Sequence, residues 1–268
     1  MRLNFQSFGS GHPLIILHGL YGSGDNWLTI GKALAGFSEI FLVDQRNHGG
    51  SPHSDIMDYQ SLASDLKELM DNLEIKQAAI LGHSMGGKAA MWFAIENPGR
   101  VSRLMIADIS PRSYLNDEGP SNHMEEHDGI LETLMNVSLH SYNSIGEVDR
   151  QLENGIPAKR LRQFLLKNLY KNEEGFYQWK LNIRSISRNL PGLTDGVNLQ
   201  SINGRSFCQF PVLFIKGEKS PYILQPDIEL ISEIFPQARI ITVKNTGHWL
   251  HAEEPEEFIK IVKKFIIS

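Results

Sequence analysis

The feature that most constrains the fold is a series of short apolar runs that alternate with helical patterns. Between the runs, and after the last one, apolar residues recur at helical spacing, as in YQSLASDLKELMDNLEI (59–75). Runs that are apolar on both faces belong in a sheet that is covered on both sides. The pattern predicts an α/β fold with a mostly parallel central sheet flanked by helices. The predicted strands are LIILHG (14–19), EIFLVDQR (39–46), AAILGHS (78–84), RLMIADIS (103–110), PVLFIKG (211–217) and ARIITVKN (238–245).

One long segment interrupts this alternation. Residues 112–206 show no strand pattern and contain amphipathic stretches such as PAKRLRQFLLKNLYKN (157–172). The segment is too long for an ordinary loop, and it follows the strand that ends near Asp108. Ligand crevices of open α/β sheets lie at that carboxyl edge. We therefore predict a core of residues 1–111 and 207–268 and a helical cap of residues 112–206, with a purely structural excursion as the alternative.

Composition narrows the class of protein. The 268 residues carry a net charge of −5, which argues against the basic footprint of non-specific nucleic-acid binding. Neither a signal segment nor the roughly 20 apolar residues of a membrane span is present. Cys208 is the single cysteine, so an intramolecular disulfide and a multi-cysteine metal site are excluded. We expect a cytoplasmic protein with no metal, nucleic-acid or membrane partner, and the oligomeric state stays open.

A serine between glycines follows the third apolar run. GHSMG places Gly82, Ser84 and Gly86 at the spacing of a nucleophile elbow, the sharp strand-to-helix turn that exposes a serine. The β-rich AAIL precedes it and the helix-forming KAAMWFAIEN follows. The glycines let strand and helix approach closely, and a helix N-terminus favours developing negative charge. A tight turn that happens to hold a serine is the alternative.

A nucleophilic serine needs a base, and the order serine, acid, histidine places that base late in the chain. His248, in NTGHWLHAEEP, follows the last predicted strand and precedes the last helix. The loop end therefore lies at the same sheet edge as Ser84. His251 is the competitor, but it stands at the start of the helix, where capping or packing explains it.

An oxyanion hole needs two backbone N–H groups. Met85, the residue after the serine, supplies one of them. LHGLYGSGDNW (17–27) follows the first run, and in it Gly19 allows a turn while Leu20 offers the second N–H. A glycine-rich turn without function is the alternative. A phosphate cradle is excluded because no P-loop lysine follows.

A serine–histidine pair also needs an acid to orient the histidine, and two carboxylates compete for that position. An aspartate is expected in the loop of FIKGEKSPYIL, but Ser220 stands at that place and the nearest carboxylate is Glu218. Asp108, at the end of LMIADIS, lies one strand after the nucleophile and could reach the histidine from there. We favour Asp108, with Glu218 as the alternative and a structural role for Asp108 as a third reading.

Five motifs together resemble the α/β-hydrolase superfamily over nearly the whole chain: LHGLYGSGDNW, DQRNHGGS, LGHSMGGKAAM, IADISP and NTGHWLHAEEP. GHSMGGKAAM, the missing acid in GEKSPYI, GHWLHAE and YQWKLNI are similar to the small bacterial esterases of the YbfF type and their ABHD11-like eukaryotic relatives. The resemblance implies the α/β-hydrolase fold, a helical cap, and a carboxylester or thioester hydrolase. It also implies that the acid has moved to the ADISP position, which is Asp108 here.

The sequence therefore predicts a serine carboxylester hydrolase that acts on small to medium acyl esters through Ser84, His248 and Asp108 and requires no cofactor. Trp179 in the cap and Trp249 beside the base are candidates to line the pocket, although packing explains each equally well. An acyl-CoA thioesterase, a carbon–carbon bond hydrolase and a menaquinone-pathway elimination are the enzymatic alternatives. A ligand receptor that keeps the fold without catalysis is the alternative of a different class.

Overall fold

The centre of the molecule is a twisted sheet of seven strands. We describe it from a computed structural model that covers residues 1–117, 122–197 and 204–268. The strands in these ranges are β1 (Phe5–Gly9), β2 (Pro13–Leu17), β3 (Glu39–Val43), β4 (Ala78–His83), β5 (Val101–Ala107), β6 (Leu169–Lys171), β7 (Tyr177–Trp179), β8 (Val212–Gly217) and β9 (Arg239–Val243).

The strand order across the sheet is β1-β3-β2-β4-β5-β8-β9. All neighbouring pairs are parallel except β1 with β3. The strand order reverses at β2. The chain passes from β2 to β3 on one side of it, and β4 then lies on the other side of β2. Because parallel strands of this sheet end at one edge, the loops after β2, β4, β5, β8 and β9 meet there. The mostly parallel sheet predicted from the apolar runs is confirmed.

Helices cover both faces of the sheet. On one face, Leu34 and Phe258 join the first and last long helices to the strands in one apolar cluster. On the other face, Leu66, Phe93 and Ile231 belong to a second, larger cluster. The helices of the described ranges are α1 (Leu28–Leu34), α2 (Tyr59–Asn72), α3 (Met85–Glu96), α4 (His123–Asn136), α5 (Ile145–Leu152), α6 (Lys159–Leu165), α7 (Ile183–Thr194), α8 (Gln225–Ile234), α9 (Leu250–Glu253) and α10 (Pro255–Ile267).

Two sheet edges differ from the sequence expectation. The antiparallel strand β1 has no counterpart among the predicted runs, because its FQSFG has little apolar content. The expectation that all six runs would be buried on both faces is wrong for β9. Among the strands of the described ranges it pairs with β8 alone, and three of its five residues are exposed, including Arg239 and Ile241. An edge strand has one unpaired side and needs less cover than a central one.

The segment between β5 and β8 carries α4 to α7. Prediction found no strand there, but β6 and β7 form a short antiparallel hairpin, closed by a turn in which Gly175 takes φ 85°. Three-residue strands are too short to leave a period-2 pattern. Of the predicted cap, residues 118–121 and 198–203 lie outside the described ranges. We call the described residues 112–117, 122–197 and 204–206 the insertion.

A buried lysine fastens both ends of the insertion to the core. Lys88 of α3 is 1% exposed, and its ammonium donates to the carbonyl oxygens of Arg112 at 3.0 Å and Thr194 at 3.3 Å, and to that of Asp195. Three donors of the ammonium thus meet three acceptors, but burial still lowers the pKa of Lys88 to about 7. Elsewhere in the described ranges, no helix has the length and apolar character that crossing a bilayer requires.

Candidate active site

Ser84 occupies a strained turn between β4 and α3. Its backbone has φ 52° and ψ −121°, a region that residues with a Cβ rarely adopt. The turn closes because the neighbouring glycines leave no side chain in the way. A Cβ at Gly82 would lie 2.2 Å from the carbonyl oxygen of Gly86, and one at Gly86 would lie 2.4 Å from that of Leu17. The serine hydroxyl makes no hydrogen bond with any described residue, His248 included, and the two residues line the same cavity.

Asp108 stands directly after β5 and is fully buried. Its Oδ1 accepts a hydrogen bond from the backbone N–H of Gly217 at 2.8 Å, and its Oδ2 accepts one from the hydroxyl of Ser220. The same Oδ2 lies 2.8 Å from Nδ1 of His248. A buried carboxylate is costly unless it is paired, and these three donors supply the pairing. The residue at the expected acid position, Ser220, therefore binds the carboxylate instead of providing it.

His248 lies in the loop between β9 and α9, and three contacts orient its ring. Nδ1 faces Asp108, and because an ionised carboxylate only accepts, Nδ1 carries the proton and Nε2 is left as the basic nitrogen. Tyr222 stacks on the imidazole with ring centroids 4.0 Å apart and planes 24° apart. The His248 carbonyl oxygen accepts from Nε2 of His83 at 2.9 Å, which fixes the backbone under the ring.

Glu218 is placed elsewhere. Its side chain is exposed and accepts a hydrogen bond from the backbone N–H of Asn245 at 2.8 Å. His251 packs inward, stacked on Trp27 with centroids 4.3 Å apart, and its Nδ1 has no hydrogen-bond partner among the described residues. Burial, followed by the nearby His248, lowers the pKa of His251 to about 3. Glu218 therefore does not take the place of Asp108, and His251 does not take the place of His248.

Neutral histidines brace the glycine-rich loop after β2. His18 accepts from the backbone N–H of Gln45 at 3.0 Å and His48 accepts from that of Tyr21 at 3.2 Å. Burial lowers the pKa of both rings, that of His48 to about 3, so both accept at neutral pH. Within the described residues, no acceptor is bonded to the N–H groups of Leu20 or Met85. Two free backbone donors beside Ser84 are what an oxyanion site requires.

Two cavities of unequal size meet at Ser84. The outer cavity has a volume of about 320 Å³ and is lined by His248, Trp249 and residues of α4 and α6, among others. The inner cavity has a volume of about 30 Å³ and lies between α3, α7 and α2, with Lys88 and His123 in its wall. Leu20 and Tyr222 line both. The serine thus stands at the passage between a large space and a small one.

Comparison with known proteins gives the family. The sequence profile of the α/β hydrolase fold matches residues 12–255. The sn-1-specific diacylglycerol lipase ABHD11 of Xenopus laevis is 35% identical over 96% of this chain and 80% of its own, and the esterase YbfF of Escherichia coli K12 is 30% identical over 99% of both. A solved marine microorganism esterase is 44% identical, with a TM-score of 0.92 over 98% of this chain and 99% of its own. The chain belongs to the α/β-hydrolase family. It is a hydrolase of the carboxylesterase type.

The two tryptophans proposed for the pocket of this hydrolase are placed differently. Trp249 lines the outer cavity and contacts Phe164 of α6, with ring centroids 5.6 Å apart. Trp179 lies on β7 and packs against the larger apolar cluster, and it is absent from the walls of both cavities. The hairpin that carries Trp179 was not predicted, and it holds the ring away from Ser84.

Sequence reasoning missed several residues of the α/β-hydrolase site. Ser220 and Tyr222 follow β8, and both contact the Asp108–His248 pair. His83, the residue before the serine, reaches under the His248 loop. For Ser220 and Tyr222, the available signal was a polar and an aromatic residue at the position where an acid was expected. No signal in the sequence pointed to His83, because its partner is 165 residues away.

Six histidines line the two cavities, and five of them are buried or half-buried rings with lowered pKa values: His18, His83, His123, His127 and His251. Burial is the first cause for each ring, and it lowers the pKa of His123 and of His127 to about 4. These rings are neutral at pH 7. Among these six, His248 is the ring within hydrogen-bond distance of a carboxylate, at 2.8 Å, whereas Nε2 of His123 lies 3.6 Å from Oδ2 of Asp117.

Proposed function

We propose that this protein is a serine carboxylester hydrolase that acts on small to medium acyl esters through a Ser84–His248–Asp108 triad and an acyl-enzyme. The observation that carries the proposal is the 2.8 Å contact between Nδ1 of His248 and Oδ2 of Asp108, made beside a serine on a strained turn that opens into the same cavity. Relatives named as an esterase and a diacylglycerol lipase support hydrolysis of an ester bond.

Acylation begins when Nε2 of His248 takes the proton of the Ser84 hydroxyl. The oxygen attacks the ester carbonyl carbon, and the carbonyl π-bond electrons move to the oxygen. The N–H groups of Leu20 and Met85 bind that oxyanion. The imidazolium then donates its proton to the leaving alkoxide as the carbon–oxygen bond breaks, and the alcohol departs from an acylated Ser84.

Deacylation repeats these steps with water. Nε2 of His248 takes a proton from a water molecule, whose oxygen attacks the acyl carbon and forms a second oxyanion at the same two N–H groups. The oxyanion collapses, the bond to Ser84 breaks, and His248 returns the proton to the serine oxygen. The products are the carboxylic acid and free enzyme.

Asp108 keeps His248 in the tautomer that both steps require. Its ionised carboxylate accepts from Nδ1–H and stabilises the imidazolium without taking its proton. Gly217 and Ser220 hold the carboxylate from two sides, so it cannot rotate away from the ring. Tyr222 confines the imidazole by stacking on its face.

The test is hydrolysis of p-nitrophenyl acetate together with labelling by a fluorophosphonate. We expect wild-type protein to turn over the ester and to bind one label, and Ser84→Ala to lose at least about 10³-fold in kcat and all labelling. Ser232→Ala, which alters an exposed serine on α8, is the matched control and retains both signals.

Retained activity in Ser84→Ala would overturn the mechanism. Unlabelled wild-type protein that still binds ligands would identify a non-catalytic receptor. Thioester and diketone substrates, assayed beside p-nitrophenyl acetate, test for thioesterase and carbon–carbon bond hydrolase activity. We expect the oxygen ester to be turned over.

A further inference from the structure

An ester has two arms, the acyl chain and the alcohol, and two cavities meet at Ser84. Building on the proposed ester hydrolysis, we propose that the inner cavity holds the acyl chain and the outer cavity holds the alcohol. The preferred substrates are then acetyl and propionyl esters of large, mostly apolar alcohols.

The position of the base decides which arm goes where. The leaving oxygen must receive its proton from Nε2 of His248, so the alcohol lies on the side of that ring. His248 and its neighbour Trp249 line the outer cavity, and neither lines the inner one. Tyr222, which stacks on the imidazole, lines both cavities. The arm that points away from His248 is the acyl chain, and it enters the inner cavity.

The volume of the inner cavity limits the acyl chain. A water molecule needs about 10–15 Å³ of this kind of space, so about 30 Å³ admits two or three non-hydrogen atoms beyond the carbonyl carbon. A methyl or ethyl group fits, and a pentyl chain does not.

The walls of the inner cavity resist expansion. Leu190 and Leu193 of α7 and Tyr59 of α2 are buried, and the Tyr59 hydroxyl donates to the carbonyl oxygen of Leu193 at 2.5 Å. Lys88 holds the following residues, Thr194 and Asp195, through their carbonyl oxygens. Packed and hydrogen-bonded walls do not make room for extra methylene groups without a cost in free energy.

The outer cavity has the opposite character. Its volume of about 320 Å³ falls in the range of small-molecule sites, and Ile130, Leu161, Phe164 and Trp249 give it apolar walls. Arg160 stands at its margin, bonded to Glu253 at 3.0 Å. A long alkyl or aromatic alcohol fits this space, with its far end toward the exposed face of α6.

Two isomeric esters test the assignment directly. Hexyl acetate and ethyl hexanoate contain the same atoms with the ester reversed, and both release a primary alcohol, so their intrinsic reactivities are close. We expect kcat/KM for hexyl acetate to exceed that for ethyl hexanoate at least about tenfold, the least discrimination given by one methylene group. Equal values, or a preference for ethyl hexanoate, would overturn the proposal.

A matched pair of truncations tests which wall sets the limit. Leu193 lines the inner cavity and Ile130 lines the outer one, and each is 6% exposed in the insertion. Leu193→Ala is expected to raise kcat/KM for ethyl hexanoate relative to hexyl acetate at least threefold, while Ile130→Ala leaves the ratio of the two as in the wild type. An unchanged ratio in a folded Leu193→Ala protein contradicts the assignment. If that variant does not fold, the wild-type comparison still decides.

Failure of this inference and failure of the proposed function give different results. If the hydrolytic function is wrong, neither isomer is turned over and Ser84 does not react with the fluorophosphonate. If only the assignment of the arms is wrong, both signals are present and the ranking of the isomers is reversed or absent.

Discussion

The core and the insertion meet at Ser84, and they differ in what they place beside it. On the core side, Asp108 has three donors and His248 is held from three directions. On the insertion side, apolar side chains such as Ile130 and Leu193 line the two cavities. Paired polar groups hold one geometry, whereas packed apolar side chains determine the volume of the space around the serine. Under the two proposals above, the core sets the chemistry and the insertion sets the size of the substrate.

The largest effect should come from breaking the core side. Asp108→Asn keeps the shape but loses the charge, and the amide can stabilise the wrong tautomer of His248. We expect kcat to fall by about 10³–10⁴-fold. The matched change Glu218→Gln, in a carboxylate exposed one strand away, should leave kcat within twofold. The reverse ranking in a steady-state ester assay would reassign the acid to Glu218.

A smaller effect should appear in the stability of the protein when the pH of the solution is lowered, because the insertion carries a histidine with a lowered pKa. His127 of α4 is half-buried, and desolvation lowers its pKa to about 4, below the roughly 6.5 of an unfolded histidine. Between these values the unfolded chain binds more protons than the folded one. The contribution of neutral His127 to the free energy of unfolding is complete above pH 6.5 and is lost progressively as the pH falls toward 4.

Thermal unfolding at pH 7 and at pH 5 measures this loss. We expect the fall in Tm between these values to be smaller in His127→Phe than in the wild type by a few degrees. His12→Gln changes an exposed histidine that bonds Ser102 and should keep the wild-type difference. An equal fall in all three proteins would show that His127 does not couple the insertion to pH.

Local sequence signals predicted the parts of the molecule that depend on neighbours in the chain. The turn at Ser84 was readable because its steric requirement for glycine falls on Gly82 and Gly86, two residues away. The parallel sheet was readable from runs that are apolar on both faces. The hairpin β6–β7 and the edge strand β1 were not, because their short or polar segments acquire a strand conformation only through pairing.

Contacts between distant segments were beyond sequence reasoning. The position of its strand end favoured Asp108 over Glu218. The role of Ser220 as a donor to that carboxylate, however, depends on the pairing of β5 with β8, which lie 108 residues apart in register. The two cavities depend on how α4, α6 and α7 pack over the sheet edge. No periodicity encodes that packing, so neither volume could be predicted.

The most direct test of the central claim is to trap the acyl-enzyme. Wild-type protein is mixed with p-nitrophenyl acetate, quenched in acid during turnover, digested and analysed by mass spectrometry. We predict one acetyl group on the peptide that contains Ser84, and none on that peptide in unreacted protein. Turnover with an acetyl group on another residue, or with no acetylated peptide at any quench time, would contradict a mechanism in which Ser84 is the nucleophile.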